Sequence, residues 1–415
     1  MPFTSGTYSL PSGNPVASGT TISSTTTNTT NSDIATALSA CLLKDGTQTV
    51  TANIPMASHK FTGLIAGSAT GDSARYDELI LKAPLASPTF TGNTTASFVR
   101  GEFRKDAPSA VAFVTTAAFA VSTQTQMYID VNGTCLTFAS GVVVSMPSAV
   151  TGTDYAIWAE TAGTLTCTNN FSTPPTANAR KIGGFHYAPG GNATAQAGGN
   201  STPAINAYSF WDLKFKPACQ DPRGMTLVAD NFWADIYLLN TDTDTNGTSK
   251  YNVTIADGAS PPKIPAKFGG NGTTAYTTLT WWEANEVLAA NGKRSASYQE
   301  YAALAYGTTE GASVGADQVS TILNAVYTSR WGVMQSTGVM DVWGKDFGGG
   351  AAGTGWVNNT TGRGQTYQLS NAVIFGGSWD YSAGAGSRSS NWSNSPANSG
   401  GGISGRGVCD HLLLD

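Results

Sequence analysis

The chain has 415 residues, 40% hydrophobic and only 12% charged, with a formal net charge of -5 and a pI near 5.2. At roughly 100–200 residues per domain, this length predicts two to four domains with cores of their own. The acidic balance removes the basis for phosphate-backbone binding, which needs clustered Lys and Arg, and no run of about 18 apolar residues could span a bilayer.

The first ten residues, MPFTSGTYSL, lack a basic start and an apolar core, so no secretory signal is expected and synthesis in a cytoplasm is. Residues 1–32 contain ASGTTISSTTTNTTNS, too polar to bury a core, which reads as an attachment arm. Asp33 to Lys44 (DIATALSACLLK) places Ile34, Leu38 and Leu42 at helical intervals, with Ser32 or Asp33 as N-cap. The stretches Thr51–Ile80 and Ala83–Gly92, the latter containing ASPTFTG, resemble the repeats of phage tail-fibre shafts, in which three chains wrap together.

From about Ala107 to Ala204, apolar and polar residues alternate in short runs: VAFVTTAAFAV, MYIDVNGTCLTF, GVVVSM, DYAIWAE, TLTCTNNF and KIGGFHYAP. Asn132-Gly133 between two such runs predicts a tight hairpin, because both turn positions tolerate positive φ. The pattern predicts a β-sandwich-like domain, and Pro189 to Pro203 reads as a linker. Beyond it, Thr280 with Glu283 and Ser297 with Glu300 form S/T-x-x-E capping boxes. These predict two helices, one facing inward with Trp282, Val287 and Leu288, the other with Tyr298, Tyr301, Ala302, Leu304 and Ala305. Trp331–Gly344, Gln365–Leu369 and Ala372–Trp379 read as strands or strand-loop pieces.

The five cysteines, Cys41, Cys135, Cys167, Cys219 and Cys409, are odd in number, far apart and form no CxxC. Free, mostly buried thiols are expected, without a disulfide framework or zinc site. The three histidines, His59, His186 and His411, fall in three predicted regions and suggest no catalytic constellation; His411 reads as structural. Asp242, Asp244 and Asn246 open like a calcium loop, but Val253 stands where a bidentate Glu is needed, so a polar turn is expected. Neither Gly348–Gly350 nor Gly400–Gly402 belongs to a phosphate-binding pattern.

The closing tract from Gly376 to Gly407 is rich in Gly, Ser and Asn, yet is interrupted by Trp379, Arg388, Trp392, Pro396 and Arg406. Two indoles with large apolar faces fit a packed scaffold better than a solvated tail. The block FGGSWDYSAGAGSRSSNWSNSPANSGGGISGRGVCDHLLLD (Phe375 to Asp415), with QDPRGMTLVADNFWADIYLLN and TLTWWEANEVLAANGKRSASYQEYAALAYGTTEG before it, resembles diversity-generating-retroelement target proteins, phage receptor-binding proteins with a C-type-lectin-like domain. The resemblance covers about the last half of the chain.

That resemblance implies a set of variable ligand-binding positions: Ser378, Asp380, Ser382, Gly384, Asn391, Ser393, Asn394, Asn398, Gly400, Gly402 and Ile403, joined by Tyr381. It implies framework positions at Trp379, Arg388, Trp392, Pro396, Arg406 and the GVCDH end. Every variable candidate is reachable from an Asn codon by changing its two adenines, and Lys, Glu, Gln and Met are absent from 376–407. Tyr381, Asp380 and Ile403 are the expected hot spots. Calcium-dependent sugar binding is not expected, since neither EPN nor QPD occurs and Trp392-Ser393-Asn394 lacks the carboxylate of WND. Formylglycine-generating enzymes share the scaffold, but their paired active-site cysteines have no CxxxxC counterpart around Cys409.

The expected fold is mostly β: a fibre-like or β-prism arm and shaft (1–106), a β-sandwich-like spacer (107–205) and an α+β C-type-lectin-like domain (206–415) with its variable region at about 376–407. The expected function is a non-enzymatic tail-fibre adhesin, homotrimeric and virion-borne. It binds a host cell-surface receptor, protein or glycan, and joins other tail proteins through its N-terminus, without cofactor, metal, nucleic acid or membrane insertion. The alternative is a structural fibre or baseplate component whose C-terminus only caps the trimer.

Overall fold

The computed structural model describes residues 3–4, 7–8, 18–19, 21–39, 101–351, 355–358, 365–368 and 370–414. The chain divides into two units, Met1–Thr94 and Thr95–Asp415. In the first, a minimal hairpin pairs Phe3–Thr4 with Thr7–Tyr8, and a helix runs from Ser24 to Ser39. The helix therefore starts well before the expected Asp33, and Ser32 and Asp33 lie inside it. The poor intrinsic propensity of its threonines is met by their hydroxyls: Thr27, Thr29, Thr30 and Thr36 each donate to the carbonyl four residues back. Ala37 is buried, while Leu38, expected on the apolar face, is 61% exposed. The predicted shaft segments and the end of the predicted helix at Lys44 lie outside the described residues, as do His59 and Cys41.

The second unit begins with β-structure. Met127–Val131 and Thr134–Phe138 form a hairpin closed at Val131 and Thr134, with Asn132 at φ 53° and Gly133 at φ 84°. This is the turn that the Asn-Gly pair predicts. Phe103–Lys105 adds a third strand beside Met127–Val131. A second sheet centres on Arg180–Ala188, flanked by Thr153–Ala159, Leu165–Thr168 and Ala204–Ile205. Met127, Ile129 and Val131 share one buried cluster with Tyr155, Ile157, Ala159 and Phe185, so side chains from both sheets fill one core.

Pro189 to Pro203 is not a free linker. Gly198 and Gly199 donate backbone N–H groups to the carbonyls of Gly307 and Ala325 (2.9 and 2.8 Å), and Ala193 donates to Ser329 (3.1 Å). Its small residues permit this close approach: a Cβ at Gly198 would lie 2.5 Å from the Val326 backbone. Buried polar groups tie the same regions together. His186 contacts Asp154 through Nδ1 (3.0 Å) and Tyr237 Oη through Nε2 (2.9 Å). Lys105 pairs with Asp212 at 2.8 Å, both side chains fully buried, and Asp212 also accepts the Ala112 N–H.

The remaining residues hold two larger sheets, the short strand pair Trp356–Asn358 with Gln365–Tyr367, and two helices longer than one turn. Gly407–Leu413 lies between Phe215–Pro217 and Phe232–Asp235, with Met225–Val228 outside and Arg294–Ser295 also pairing to it. The other sheet has the order Ser390–Asn394, Ser370–Phe375, Asp341–Ala351, Ile403–Ser404. The helices Trp281–Ala290 and Tyr298–Leu304 both start at the predicted capping boxes. The Glu283 carboxylate accepts the Thr280 N–H and hydroxyl, and Glu300 accepts the Ser297 N–H at 2.8 Å. Ala284, Val287 and Leu288 are buried on one helix, Tyr301 and Leu304 on the other. Tyr298 is 37% exposed and Trp282 half-buried; Trp281, also half-buried, packs against the core instead, its indole donating to the Gly344 carbonyl at 2.8 Å. Between Trp331 and Met340 the chain is a buried loop, and strand begins only at Asp341.

Candidate functional surface

The closing tract is folded throughout. After Ser370–Phe375, Gly376 and Gly377 take φ of 89° and 79° and turn the chain out of the sheet. A Cβ at Gly376 would meet the Tyr301 hydroxyl at 2.5 Å, so only glycine serves there. Ser378 makes a parallel bridge to Val339, and the chain then loops through Asp380, Tyr381, Ser382 and Gly384 before returning as Ser390–Asn394. A second loop carries Asn398, Gly400 and Gly402 and ends in Ile403–Ser404, on the opposite edge of the sheet.

Of the twelve predicted contact positions, Asp380, Tyr381, Ser382, Gly384, Ser393 and Asn398 are exposed, and Asn391, Asn394, Gly400, Gly402 and Ile403 are half-buried. Ser378 is buried and donates its hydroxyl to Asp380, so it positions a carboxylate rather than meeting solvent itself. The structure brings Ser378, Asp380, Tyr381, Gly384 and Gly402 together: a Cβ at Gly402 would touch the Trp379 ring at 3.1 Å and Ser378 at 3.5 Å. Asn391 forms a separate local pair with Ser393, and Asn394 accepts from the Asn398 amide. Three strand steps of roughly 4.8 Å separate the edges bearing Asn391 and Ile403, so the surface spans about 14 Å.

The backbone under these positions is held by residues outside the tract. Trp379 O accepts from Ser313 Oγ (2.6 Å) and Gly315 N (2.9 Å). Glu310 accepts the Ser387 N–H (2.9 Å) and hydroxyl (2.6 Å). Gly402 O accepts from Asp341 N, Gly400 O from Gly258 N and Pro396 O from Trp281 N, at 2.9, 3.1 and 3.0 Å. These supporting residues were not among the sequence candidates. Their partners lie far along the chain, 77 residues away for Glu310 and Ser387, and no local motif marks them.

The predicted framework residues differ in how they act. Arg406 is fully buried and donates to four carbonyls: Asp235 and Ile236 through Nη1 (2.8 Å each), Met334 and Gln335 through Nη2 (2.8 and 3.1 Å). Burial pushes its pKa down to about 10, against the stabilising fields of Tyr301 and Asp235. Trp379 and Trp392 are half-buried; the Trp392 ring covers Gly348, its backbone lies against Gly349, and its indole donates to Ser390 Oγ. Pro396 is buried. Arg388, by contrast, is exposed, so no guanidinium pillar stands there.

Beneath the surface, Asp341 is 5% exposed, and burial raises its carboxyl pKa to about 7 against a stabilising backbone N–H from Gly377, with Asp380 adding repulsion. His411 accepts from the Trp233 indole at 3.0 Å and lies against the Phe215 ring, and burial lowers its pKa. Cys219 and Cys409, far apart in the sequence, share one apolar cluster, where the Cys219 thiol donates to the Asp221 carbonyl at 3.2 Å. Asp242 caps the one-turn helix Thr243–Asn246 and pairs with Lys263 at 2.7 Å, the polar-turn geometry. Among the described residues no group of three or more His, Cys, Asp or Glu side chains is placed to hold a metal ion, and no helix is long and apolar enough to cross a membrane.

Comparison with known proteins places this geometry. A family model described as the Mtd second domain matches residues 111–212. The tail fiber receptor-binding protein of Bordetella phage BPP-1 is 47% identical over 329 residues, spanning 76% of this chain and 86% of that protein. Solved structures of the Major Tropism Determinant I1 and M1 variants superpose with a TM-score of 0.75 at 48% identity, covering 76% of this chain and 87% of each. The fold is thus mostly β with a C-type-lectin-like C-terminal region, and the chain belongs to the family of the phage major tropism determinants.

Proposed function

We propose that this protein is a phage tail-fibre adhesin that binds a host cell-surface receptor, protein or glycan, through Asp380, Tyr381, Ser382, Gly384, Asn391, Ser393, Asn394, Asn398, Gly400, Gly402 and Ile403, with Ser378 orienting Asp380. One observation carries the reading: the loops present eleven of these positions at least partly to solvent, while their backbone is fastened by Glu310, Ser313, Asp341 and Trp281, which lie outside the tract. Exchange of the presented side chains leaves those fastenings in place, which is what a diversified binding surface requires. The relative from Bordetella phage BPP-1 is described as a tail fiber receptor-binding protein.

The physics is that of a paratope. Tyr381, 38% exposed, offers rigid contact area, Asp380 a charge and half-buried Ile403 an apolar anchor, while Ser, Gly and Asn adapt their hydrogen bonds. Small side chains make each contact weak. A homotrimeric fibre presenting several heads would raise avidity by about 10² to 10⁴. The N-terminal unit would join the virion tail, and the 107–205 region would space the head from it.

Cell-adsorption assays test the reading. The combined variant Asp380→Ala, Tyr381→Ala, Ile403→Ala should lose adsorption to host cells at least about tenfold with an unchanged melting temperature. Undiminished adsorption would favour a structural fibre component whose C-terminus only caps the assembly. Light scattering should give the mass of a trimer; a monomer would remove the avidity argument.

A further inference from the structure

A cleft of about 340 Å³ opens between the turn at Phe171 and Ser172, Lys181 and the stretch from Trp211 to Arg223, and nothing in the adhesion surface uses it. Its lining includes Phe171, Trp211, Lys181, Lys216, Asp221 and Arg223, none from residues 376–407. The volume lies at the lower end of the roughly 300–1,000 Å³ of small-molecule sites, and such sites combine apolar walls with a few placed polar groups.

The charges in this cleft are unbalanced. Three cations face one carboxylate, and that carboxylate is already engaged: Asp221 accepts from Arg223 Nε at 2.9 Å and Nη2 at 2.6 Å. Lys216 makes no hydrogen bond or ion pair through its ammonium among the described residues, and Arg223 Nη1 is also without a partner there. Lys181 is fixed by donating to the Phe171 carbonyl at 2.8 Å, and its ammonium stands 5.5 Å from the Phe171 ring centre and 5.9 Å from that of Trp158. The Arg223 guanidinium also lies near this ring, 5.3 Å from the Phe171 ring centre. Burial pulls the pKa of Lys181 down, so a bound anion would relieve it. Ser172 and Gln220 add neutral hydrogen-bonding groups at the rim.

We propose that this cleft is a second ligand site, which takes a monosaccharide-sized acidic sugar: its carboxylate, sulfate or phosphate between Lys216, Lys181 and Arg223, its ring against Phe171 and Trp211. The charged group meets donors that have spare hydrogen bonds, and the sugar body covers the aromatic wall that an inorganic anion would leave open. The site is built from residues of the family-matched region and the first strands of the lectin-like region. It stands or falls independently of the adhesion surface.

Calorimetric titration of the full chain tests the assignment, with glucuronic acid, glucose 6-sulfate and glucose 6-phosphate as probes, and glucose and inorganic phosphate as controls. At least one acidic sugar should bind saturably, more weakly as salt rises, with glucose silent and inorganic phosphate at least about tenfold weaker than the sugar. Lys216→Gln and Arg223→Gln should each weaken binding about tenfold at an unchanged melting temperature, and Tyr381→Ala should leave it unaltered. Arg223 lies outside any strand, so its variant reads the site even if Lys216→Gln disturbs the Phe215–Pro217 pairing. No binding by any acidic sugar, equal binding of glucose, phosphate binding as tightly as the sugar, or full affinity in both variants would overturn the proposal.

Discussion

At the scale of single residues, two buried ionisable groups under the adhesion surface do opposite work. Arg406 joins two chain segments by donating to four buried carbonyls, those of Asp235 and Ile236 on one and of Met334 and Gln335 on the other. Arg406→Ala should cost about 3–5 kcal/mol in urea unfolding, the usual cost of breaking a buried hydrogen-bonded charge. Arg406→Lys should recover only part, because an ammonium lacks the planar fork that reaches both segments. Asp341 is the opposite case, a carboxyl that burial keeps protonated up to about pH 7, whereas in the unfolded chain it titrates near about 3.9. Between those values the native state holds a proton that the unfolded chain has released. Stability from this group is therefore full below about pH 4 and is lost as pH rises toward 7. Asp341→Asn should flatten that fall and raise stability at neutral pH by up to about 4 kcal/mol, since each pKa unit corresponds to about 1.4 kcal/mol. Unfolding midpoints at several pH values, wild type against variant, read this directly.

At the scale of elements, the adhesion loops are ordered by a neighbouring segment rather than by their own composition. Glu310 holds Ser387, and Ser313 holds Trp379 and Ser382. Glu310→Ala should accelerate amide exchange in residues 380–389 and weaken adsorption while costing about 1–3 kcal/mol overall, because two part-buried hydrogen bonds to Ser387 are lost. Local signals in the sequence were sufficient where the structure is local: Asn132-Gly133 closes its hairpin, and both capping boxes start their helices. They failed where distant partners decide. In the threonine-rich stretch from Ser24, too polar to bury a core and read as an attachment arm, the signal was local but missed, since its hydroxyls bond back four residues along a helix. Pro189–Pro203 has linker composition, yet its glycines let it dock against the chain near Gly307 and Val326. The twelve contact positions came from resemblance to a family, and their solvent exposure from the fold; Ser378 and Arg388 depart from the roles expected because neither burial nor exposure follows from residue type alone.

At the scale of the whole molecule, the β-rich region before Ile205 and the chain beyond it are joined by the buried His186–Tyr237 contact and by the docked Pro189–Pro203 loop. Such ties make this unit a firm support, so small groups presented on the tract meet a target without first being ordered, which lowers the entropic cost of binding. The central claim is that host contact falls on the 378–403 surface. Hydroxyl-radical footprinting of the protein adsorbed to intact host cells tests it most directly, because Tyr381, Ile403 and Trp392 report on that surface and Val143 and Val150 on exposed positions elsewhere. The account predicts that adsorption protects Tyr381 and Ile403 and leaves Val143 and Val150 as reactive as in the free protein; unchanged labelling of Tyr381 and Ile403 on adsorbed protein would contradict it.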